Sequence, residues 1–463
     1  MCLFLALPAC ALAQVSLPLS RVANLPSAPA PQAQSQPAGP PTNPKGAQAI
    51  TPGIVPGASI SLSLKDAQAL ALRNNPQISV ARLTALASLQ VTREVRSNLW
   101  PTASIDLTAV DANPGTRLTA GALNNPILYQ RAAAGAMVTQ LITDFGRTTN
   151  LVSSANLSAK AENQNALATK EQILLAVDQA FYNSLQAHAV LTVAQQTVTE
   201  RQTVSNQVDA LFQSKLKSQL DLSFANVNLA QAKLLLLDAQ NNENAALASL
   251  SAVIGFSSLQ NFQLVEDSAP SSPPPGNVDD LISTAFSLRP EILALEFQSE
   301  SARKFHAAER DLLFPDIRAI GVVGDTPVRN PVISNWYGAV GVNVNIPVFN
   351  GFLYPARARE ASLQSQAAQE RLRDLRDRIS RDVRTSWLNA TTAYDRLAVT
   401  EQLLDQANLA MKLAQSRYNL GLGSIVELSQ AQLQLTQAQI SNAQASFDYR
   451  LSLAVLQYQT SGI

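Results

Sequence analysis

The chain has 463 residues, no net formal charge, and few aromatic residues, at 5% of the total. Alanine, glutamine, leucine, serine and asparagine dominate, a composition typical of long helices. A neutral chain lacks the basic field that draws phosphate backbones from a distance, so nucleic acid is excluded as a partner on electrostatic grounds.

Residues 1–13 are an apolar run ending in Ala11-Leu12-Ala13, the small-x-small pattern of a secretory cleavage site. The run is short and lacks a basic start, which leaves the true start codon open. Both cysteines, Cys2 and Cys10, lie inside it, so cleavage after Ala13 removes every thiol and with it disulfides, thiol catalysis and cysteine metal sites. A second reading attaches a lipid at Cys10, although Pro8 suits a lipid-attachment motif poorly. Residues 14–59 read as a flexible linker, since ten of the 25 prolines fall between Pro18 and Pro56. The sequence contains no run of about 20 predominantly apolar residues, which excludes a membrane-spanning helix. A bilayer crossing would have to be made of strands.

From there the chain compares with itself. At an offset of 206, Leu157 meets Leu363, Ile173 meets Ile379, Val177 meets Val383 and Asn183 meets Asn389, and about 100 positions align without a gap. Earlier the offset is 214, pairing Pro76 with Pro290 and Trp100 with Phe314, so the second copy is eight residues shorter between these regions. The missing residues fall between two strand-like stretches, near Asn113–Tyr129 and Gly324–Trp336, where loop length is free to vary. The sequence therefore predicts a first repeat over 60–262, a proline-rich connector over 263–277 and a second repeat over 278–463. Each repeat reads helix, strand, loop, strand, long helix, turn, helix.

The strands are clearest in the second copy, where Val340, Val342, Val344, Ile346 and Val348 alternate with small or polar residues. Three further stretches, near 101–110, 132–143 and 315–323, alternate less cleanly, and all have the length of tilted barrel spans. Aromatic residues bracket them: Trp100, Phe145, Phe314, Phe349, Phe352 and Tyr354 on the helix side, Tyr129, Trp336 and Tyr337 toward the loops. Trp100, Phe314, Trp336 and Tyr337 are the interfacial aromatics this pattern predicts, in two girdles. Gly146 and Gly351 mark the strand-to-helix junctions.

No proline or glycine interrupts 147–212, and none interrupts the second copy between Pro355 and Tyr418, so each predicts one helix of about 65 residues, on the order of 100 Å. These segments carry too many charges to sit in lipid. The shorter helices that follow carry a leucine/alanine seam, Leu222, Ala225, Leu229, Ala232, Leu236 and Ala239, then Leu428, Ala431, Leu435 and Ala438. Spacings of three and four put them on one stripe, and the long helix of copy two continues the period through Val383, Ala390, Leu404, Ala407 and Ala414. The fold class is α+β, mostly α: long antiparallel coiled-coil helices, a tandem duplication, and four strands for a transmembrane β-barrel. Four strands are too few to close a barrel, and open edges cannot persist in lipid. The barrel must be shared between copies, and two or three copies both satisfy this.

Several motifs, in this order, resemble the outer membrane efflux protein family, which is TolC-like, over roughly residues 60–460. They are Leu62-Ser63-Leu64-Lys65-Asp66-Ala67 running to Asn74-Asn75-Pro76; Asp144-Phe145-Gly146-Arg147 with its copy Val348-Phe349-Asn350-Gly351; and Tyr418-Asn419-Leu420-Gly421-Leu422-Gly423-Ser424 running to Glu427. The resemblance implies a homotrimer, a twelve-stranded barrel in outer-membrane lipid, and a helical tunnel across the periplasm. It also implies a periplasmic adaptor and an inner-membrane pump as partners, with neither cofactor nor chemistry in the duct itself.

By the same resemblance the helix turns form a periplasmic gate, with Lys215 and Lys217 in the first turn and Gly421 and Gly423 in the second. Glu427 falls at a family acidic position, Gln430 stands where a second acid would be, and Tyr418 and Asp221 match a tyrosine and the acid bonded to it. Gly423 replaces an arginine link of some members. Physically, a carboxylate ring in a narrow pore attracts cations; the plain alternative is that Glu427 only complements a helix N-terminus.

The charged stripe Arg371, Arg373, Asp374, Arg376, Asp377, Arg378, Arg381, Asp382 and Arg384 reads as a solvated helix face. His188 and His306 lie far apart, and the sequence offers no acid, base and nucleophile set and no phosphate loop, so no catalytic or metal site is proposed. A periplasmic adaptor-like coiled-coil protein is the alternative function, but it would have one hairpin followed by compact β-domains. A flagellin-type filament subunit would not explain strands bracketed by aromatics.

Overall fold

In the computed structural model, residues 60–111, 113, 131–258, 260, 262–266, 272–274, 276–327 and 334–461 are described. They belong to one unit, Pro56–Ile463. The expected signal peptide 1–13 with Cys10, the linker 14–59, Tyr129 and residues 267–271 and 275 of the connector 263–277 lie outside the described residues.

The chain begins with strand β1 (Ile60–Leu62) and helices α1 (Leu64–Asn74) and α2 (Pro76–Ser97). The sequence reads this stretch as one helix, and the structure divides it. Pro76 forces Asn75 to an extended ψ of 121°, and the Asn75 side chain then caps α2 through the Gln77 amide. The second copy breaks the same way at Arg289, between α5 (Val278–Leu288) and α6 (Pro290–Arg310).

Strands β2 (Thr102–Val110) and β3 (Arg131–Thr143) lead into α3 (Arg147–Gln213) and α4 (Gln219–Ile254). Strand β4 (Phe262–Leu264) then pairs in parallel with β1, a short non-local contact that ties the end of the first repeat to its beginning. After α6, β5 (Asp316–Asp325) and β6 (Trp336–Asn345) lead into α7 (Leu353–Asn419) and α8 (Ile425–Ser461). The long helices α3 and α7 have 67 residues each, as the uninterrupted sequence predicts. β6 is shorter than the valine alternation suggests: Ile346 and Val348 lie beyond it, and Pro347 has no amide to continue a ladder.

The four longer strands form an antiparallel sheet in the order β2-β3-β5-β6, with the inner strands of the two repeats paired and β2 and β6 left as open edges. Register partners share a face. One face carries Ile105, Leu107, Ala134, Ala136, Val138, Ile317, Val323, Val340, Val342 and Val344. The other carries Thr102, Ser104, Asp106, Thr139, Arg318, Asn343 and Asn345 and is the more polar of the two, although Met137, Leu141, Ile320 and Val322 also lie on it. Ile105 and Val340 are 78% and 91% exposed in the single chain, so the apolar face has nothing of its own chain to cover it.

The helical part holds the core. Its main cluster joins Leu62, Ala67, Ala71, Ile173, Val177, Phe181, Leu250, Ile254, Phe262 and Phe447, drawing on both repeats. The matching cluster in the second copy is smaller, with Ile282, Ala285, Ile292, Ile379 and Val383. The leucine/alanine seam is buried as its period predicts: Ala225, Leu229, Ala232, Ala239, Leu428, Ala431, Leu435 and Ala438 are all in the core. Small residues on the stripe let paired helices approach closely.

Candidate functional site

Helix length places the two helix turns at the far end of the molecule from the sheet. The first turn, 214–218, joins α3 to α4, and the second, 420–424, joins α7 to α8. Both hairpins meet in one apolar cluster of Val208, Ala225, Ala414, Tyr418, Ile425, Leu428 and Ala431. Beyond it, Asn228 of α4 donates to Ser429 of α8 at 2.6 Å.

Within the first turn, Lys215 holds a left-handed φ of 63°, and Ser218 caps α4. The Ser218 amide and hydroxyl donate to Asp221 at 3.0 and 2.7 Å while the Asp221 amide donates back to the Ser218 hydroxyl, a complete capping box. These bonds from Ser218 hold the Asp221 carboxyl below the usual range.

In the second turn Gly421 takes the left-handed position, with φ 74°. The Glu427 amide donates to Ser424 Oγ at 3.1 Å, but the Glu427 carboxylate turns to Arg417, whose Nε lies 3.0 Å away. Arg417 also donates to the Leu422 carbonyl across the turn. Gly423 makes room for this pair, since a Cβ there would lie 3.2 Å from both Arg417 Cβ and Glu427 Oε2. Glu427 and Gln430, three residues apart, are both exposed on α8.

Tyr418 is 6% exposed, and its hydroxyl is buried without a hydrogen-bond partner. Burial first, and the charge of Asp221 second, push its phenol upward. The tyrosine-to-acid bond implied by family resemblance is therefore not formed within the chain; Asp221 accepts from Ser218 through Oδ2. Instead the Lys217 ammonium sits 4.2 Å from the centre of the Tyr418 ring.

Sequence reasoning missed Arg417, although an arginine ten residues before Glu427 across a glycine-bearing turn was a readable signal. It also missed two buried charges on α3. Arg201 is 7% exposed, with Nη1 unpartnered, and burial pulls its guanidinium down to about 10. Asp178 is 4% exposed and accepts from Gln68 of α1 at 2.6 Å; burial pushes its carboxyl up to about 6. No periodicity announces a charge on a core stripe.

At the other end of the helices, each strand-to-helix junction uses two successive left-handed residues. They are Phe145 and Gly146 in the first copy, Gly351 and Phe352 in the second. Asp144 accepts from the Thr148 amide at 2.7 Å to start α3, and Asn150 bridges to Asp311 at 2.8 Å. Glu309, 3% exposed, pairs with Arg357 at 2.7 Å, tying α6 to α7. Trp100, Phe145, Phe314, Phe349 and Phe352 are exposed around these junctions, where the helix-side girdle is expected.

The loop-side girdle needs a correction. Trp336 and Tyr337 are consecutive on β6, so they point to opposite faces. Trp336 lies with the valines of the apolar face, whereas Tyr337 lies on the polar face, in register with Gly324.

Comparison with known proteins agrees with this geometry. The model of the outer membrane efflux protein family matches residues 68–256 and 281–458, one segment in each repeat. The chain is similar to the outer membrane protein TolC of Vibrio cholerae, 23% identical over 404 residues, which is 83% of this chain and 87% of that protein. It is 29% identical over 230 residues to the pyoverdine export outer membrane protein OpmQ of Pseudomonas aeruginosa, 49% of this chain and 47% of that one. Among solved structures it is similar in fold to CusC, with a TM-score of 0.76 and 16% identity over 89% of this chain and 96% of that one. The structure of VceC from Vibrio cholerae gives 0.73 and 16% over 86% and 96%.

Proposed function

We propose a mechanism from one premise: the chain belongs to the outer membrane efflux protein family and works in efflux at the outer membrane. The observation that carries the mechanism is the four-stranded sheet, with one apolar face, one polar face and two open edges, set on helices of 67 residues. In lipid the edge amides and carbonyls of β2 and β6 require partners, each unpaired group costing several kcal/mol by order of magnitude. Joining β6 of one copy to β2 of the next meets that need. Three copies give a twelve-stranded barrel with the apolar face toward lipid and the polar face toward a lumen. α3, α4, α7 and α8 continue the lumen as a tunnel through the periplasm.

The turns at 214–218 and 420–424 then form the periplasmic entrance. There a periplasmic adaptor and an inner-membrane pump dock and deliver cargo, and the duct passes it on without chemistry. Glu427 and Gln430 line the closed entrance, and three copies of Glu427 form a ring that favours cations. Arg417 replaces the arginine link lost at Gly423, but it ties the turn to itself rather than to a neighbour. Tyr418 and Asp221 sit beneath this ring as the joint between the two hairpins. The unpartnered Tyr418 hydroxyl would gain water as the hairpins part, which favours opening.

Planar-bilayer recording tests the gate. Glu427→Ala should lower cation selectivity or relieve divalent block, while unchanged selectivity and block would return Glu427 to a helix-terminus role.

A further inference from the structure

On the polar face of the sheet one row of register partners runs Asp106, Gly135, Gly324, Tyr337, from edge to edge. Two glycines side by side in strand interiors weaken a sheet unless something uses the space. Here Tyr337 uses it. A Cβ at Gly324 would lie 2.4 Å from the Tyr337 hydroxyl, 2.5 Å from Cζ and 2.7 Å from Cε1. A Cβ at Gly135 would lie 2.9 Å from the same hydroxyl. The ring thus starts on β6, lies over Gly324 of β5 and carries its hydroxyl toward Gly135 of β3, flat against the wall, with Asp106 one strand farther on. Gly341, on the same strand and face, has nothing within 4 Å of its Cβ position, so on the polar face close cover is specific to this row; on the apolar face Trp336 covers Gly338 less tightly, at 3.1 Å from its Cβ position. Tyr337 keeps 44% of its surface exposed. It follows the loop before β6, at the end of the sheet away from the helices.

We infer that Gly135 and Gly324 are a floor that holds Tyr337 flat, and that Tyr337 thereby sets the bore of the barrel near its outer mouth and limits the girth of cargo. The inference rests on the reading of the polar face as the lumen. Aromatic cover of strand glycines stabilises a sheet, and side chains on the lumenal face of a barrel tune what passes. At Gly324 the three atoms nearest an added Cβ all belong to the rotatable Tyr337 side chain, and at Gly135 the backbone atoms met, Val323 O at 3.4 Å and Gly324 Cα at 3.9 Å, are at ordinary contact distance, so the sheet persists and the ring must leave the wall.

Two measurements on the full-length assembled protein in membranes separate the inference from the reading beneath it. A membrane-impermeant thiol reagent should label Tyr337→Cys above the wild-type background and leave Trp336→Cys unlabelled; the reverse would overturn both the lumen assignment and the inference. Graded polyethylene glycols, added from the loop side during single-channel recording, then report the bore. Gly324→Ala should shift the exclusion limit to smaller polymers, and Gly324→Ala with Tyr337→Ala should restore it to the wild-type limit or above. Gly135→Ala, whose one contact shorter than 3.4 Å is with the hydroxyl, should give a smaller shift of the same sign and carries the test if Gly324→Ala fails to assemble. An unmoved limit in both single variants, or one equally reduced in the double variant, would overturn the inference while leaving the lumen assignment intact.

Discussion

The two helix turns stem from one duplicated sequence, and at an offset of 206 they align residue by residue. Lys215 faces Gly421, Lys217 faces Gly423, Ser218 faces Ser424 and Asp221 faces Glu427. Both use a left-handed residue at the same place, with φ of 63° at Lys215 and 74° at Gly421. They differ in what the carboxylate does. Asp221 closes a capping box on its own helix, whereas the longer Glu427 leaves the cap to Ser424 alone and reaches Arg417, whose counterpart in the first copy is Leu211. Phe212 likewise aligns with Tyr418, which carries in addition a hydroxyl that has no partner. The first turn satisfies its carboxylate locally and lends Lys217 to the Tyr418 ring, while the second keeps an exposed ion pair and an orphaned phenol, groups that a change of neighbours can redirect. The two copies keep the same backbone at this turn, and side-chain length separates what their carboxylates hold.

The repeats also differ in their cores, and that difference should give the largest effect. Asp178 occupies a buried position whose counterpart is the exposed Arg384. Its carboxyl is pushed up to about 6, mainly by burial, so the folded protein holds a proton that an unfolded chain has already released. Stability from this group is therefore greatest at acid pH and falls as pH rises from the ordinary carboxylate range through about 6. Asp178→Asn should stabilise the protein at neutral pH by roughly 1–3 kcal/mol and flatten thermal stability across that window. An unchanged melting profile would show that Gln68 and water already compensate the charge.

Exchanging the left-handed residues is expected to have the next effect. Gly421→Ala should destabilise by about 1–2 kcal/mol, while Lys215→Gly should recover part of that amount in the first turn. Opposite signs in thermal unfolding are the expected outcome; equal signs would mean that the two turns do not share a backbone.

The carboxylates should give the smallest effects. Asp221→Ala removes bonds to the Ser218 amide and hydroxyl and should cost about 0.5–1.5 kcal/mol, against a few tenths of a kcal/mol for Glu427→Ala at an exposed pair. The Asp221 carboxyl is held below its ordinary value, so its contribution is complete above the usual carboxylate range and disappears as pH falls through the depressed value. Acid titration of wild type and Asp221→Ala by thermal unfolding should therefore converge, and parallel curves would contradict the capping role.

The long helices were legible because glycine and proline are absent from both, and the seam because leucine and alanine keep their spacing over several turns. The breaks before Pro76 and Pro290 were also within reach, since both prolines align between the copies, but the helical period on either side hides a change of direction. The β1-β4 pair was not legible, because three residues per strand are too few for a period and the partners lie about 200 positions apart. In β6 the alternation already separates Trp336 from Tyr337; grouping them as one girdle overlooked that neighbours on a strand face opposite ways. The Arg417 pair depends on the chain reversing through Gly421, a geometry that spacing alone does not express. The orphaned hydroxyl of Tyr418 was not legible either, because the sequence does not show that Asp221 turns to Ser218.

The proposed duct and its entrance require that the open edges β2 and β6 close against other copies in the outer membrane. Native mass measurement of the protein extracted from outer membranes into mild detergent tests this most directly. A complex of three chains is predicted; a stable monomer, soluble without detergent, would contradict the shared barrel and the gate built on it.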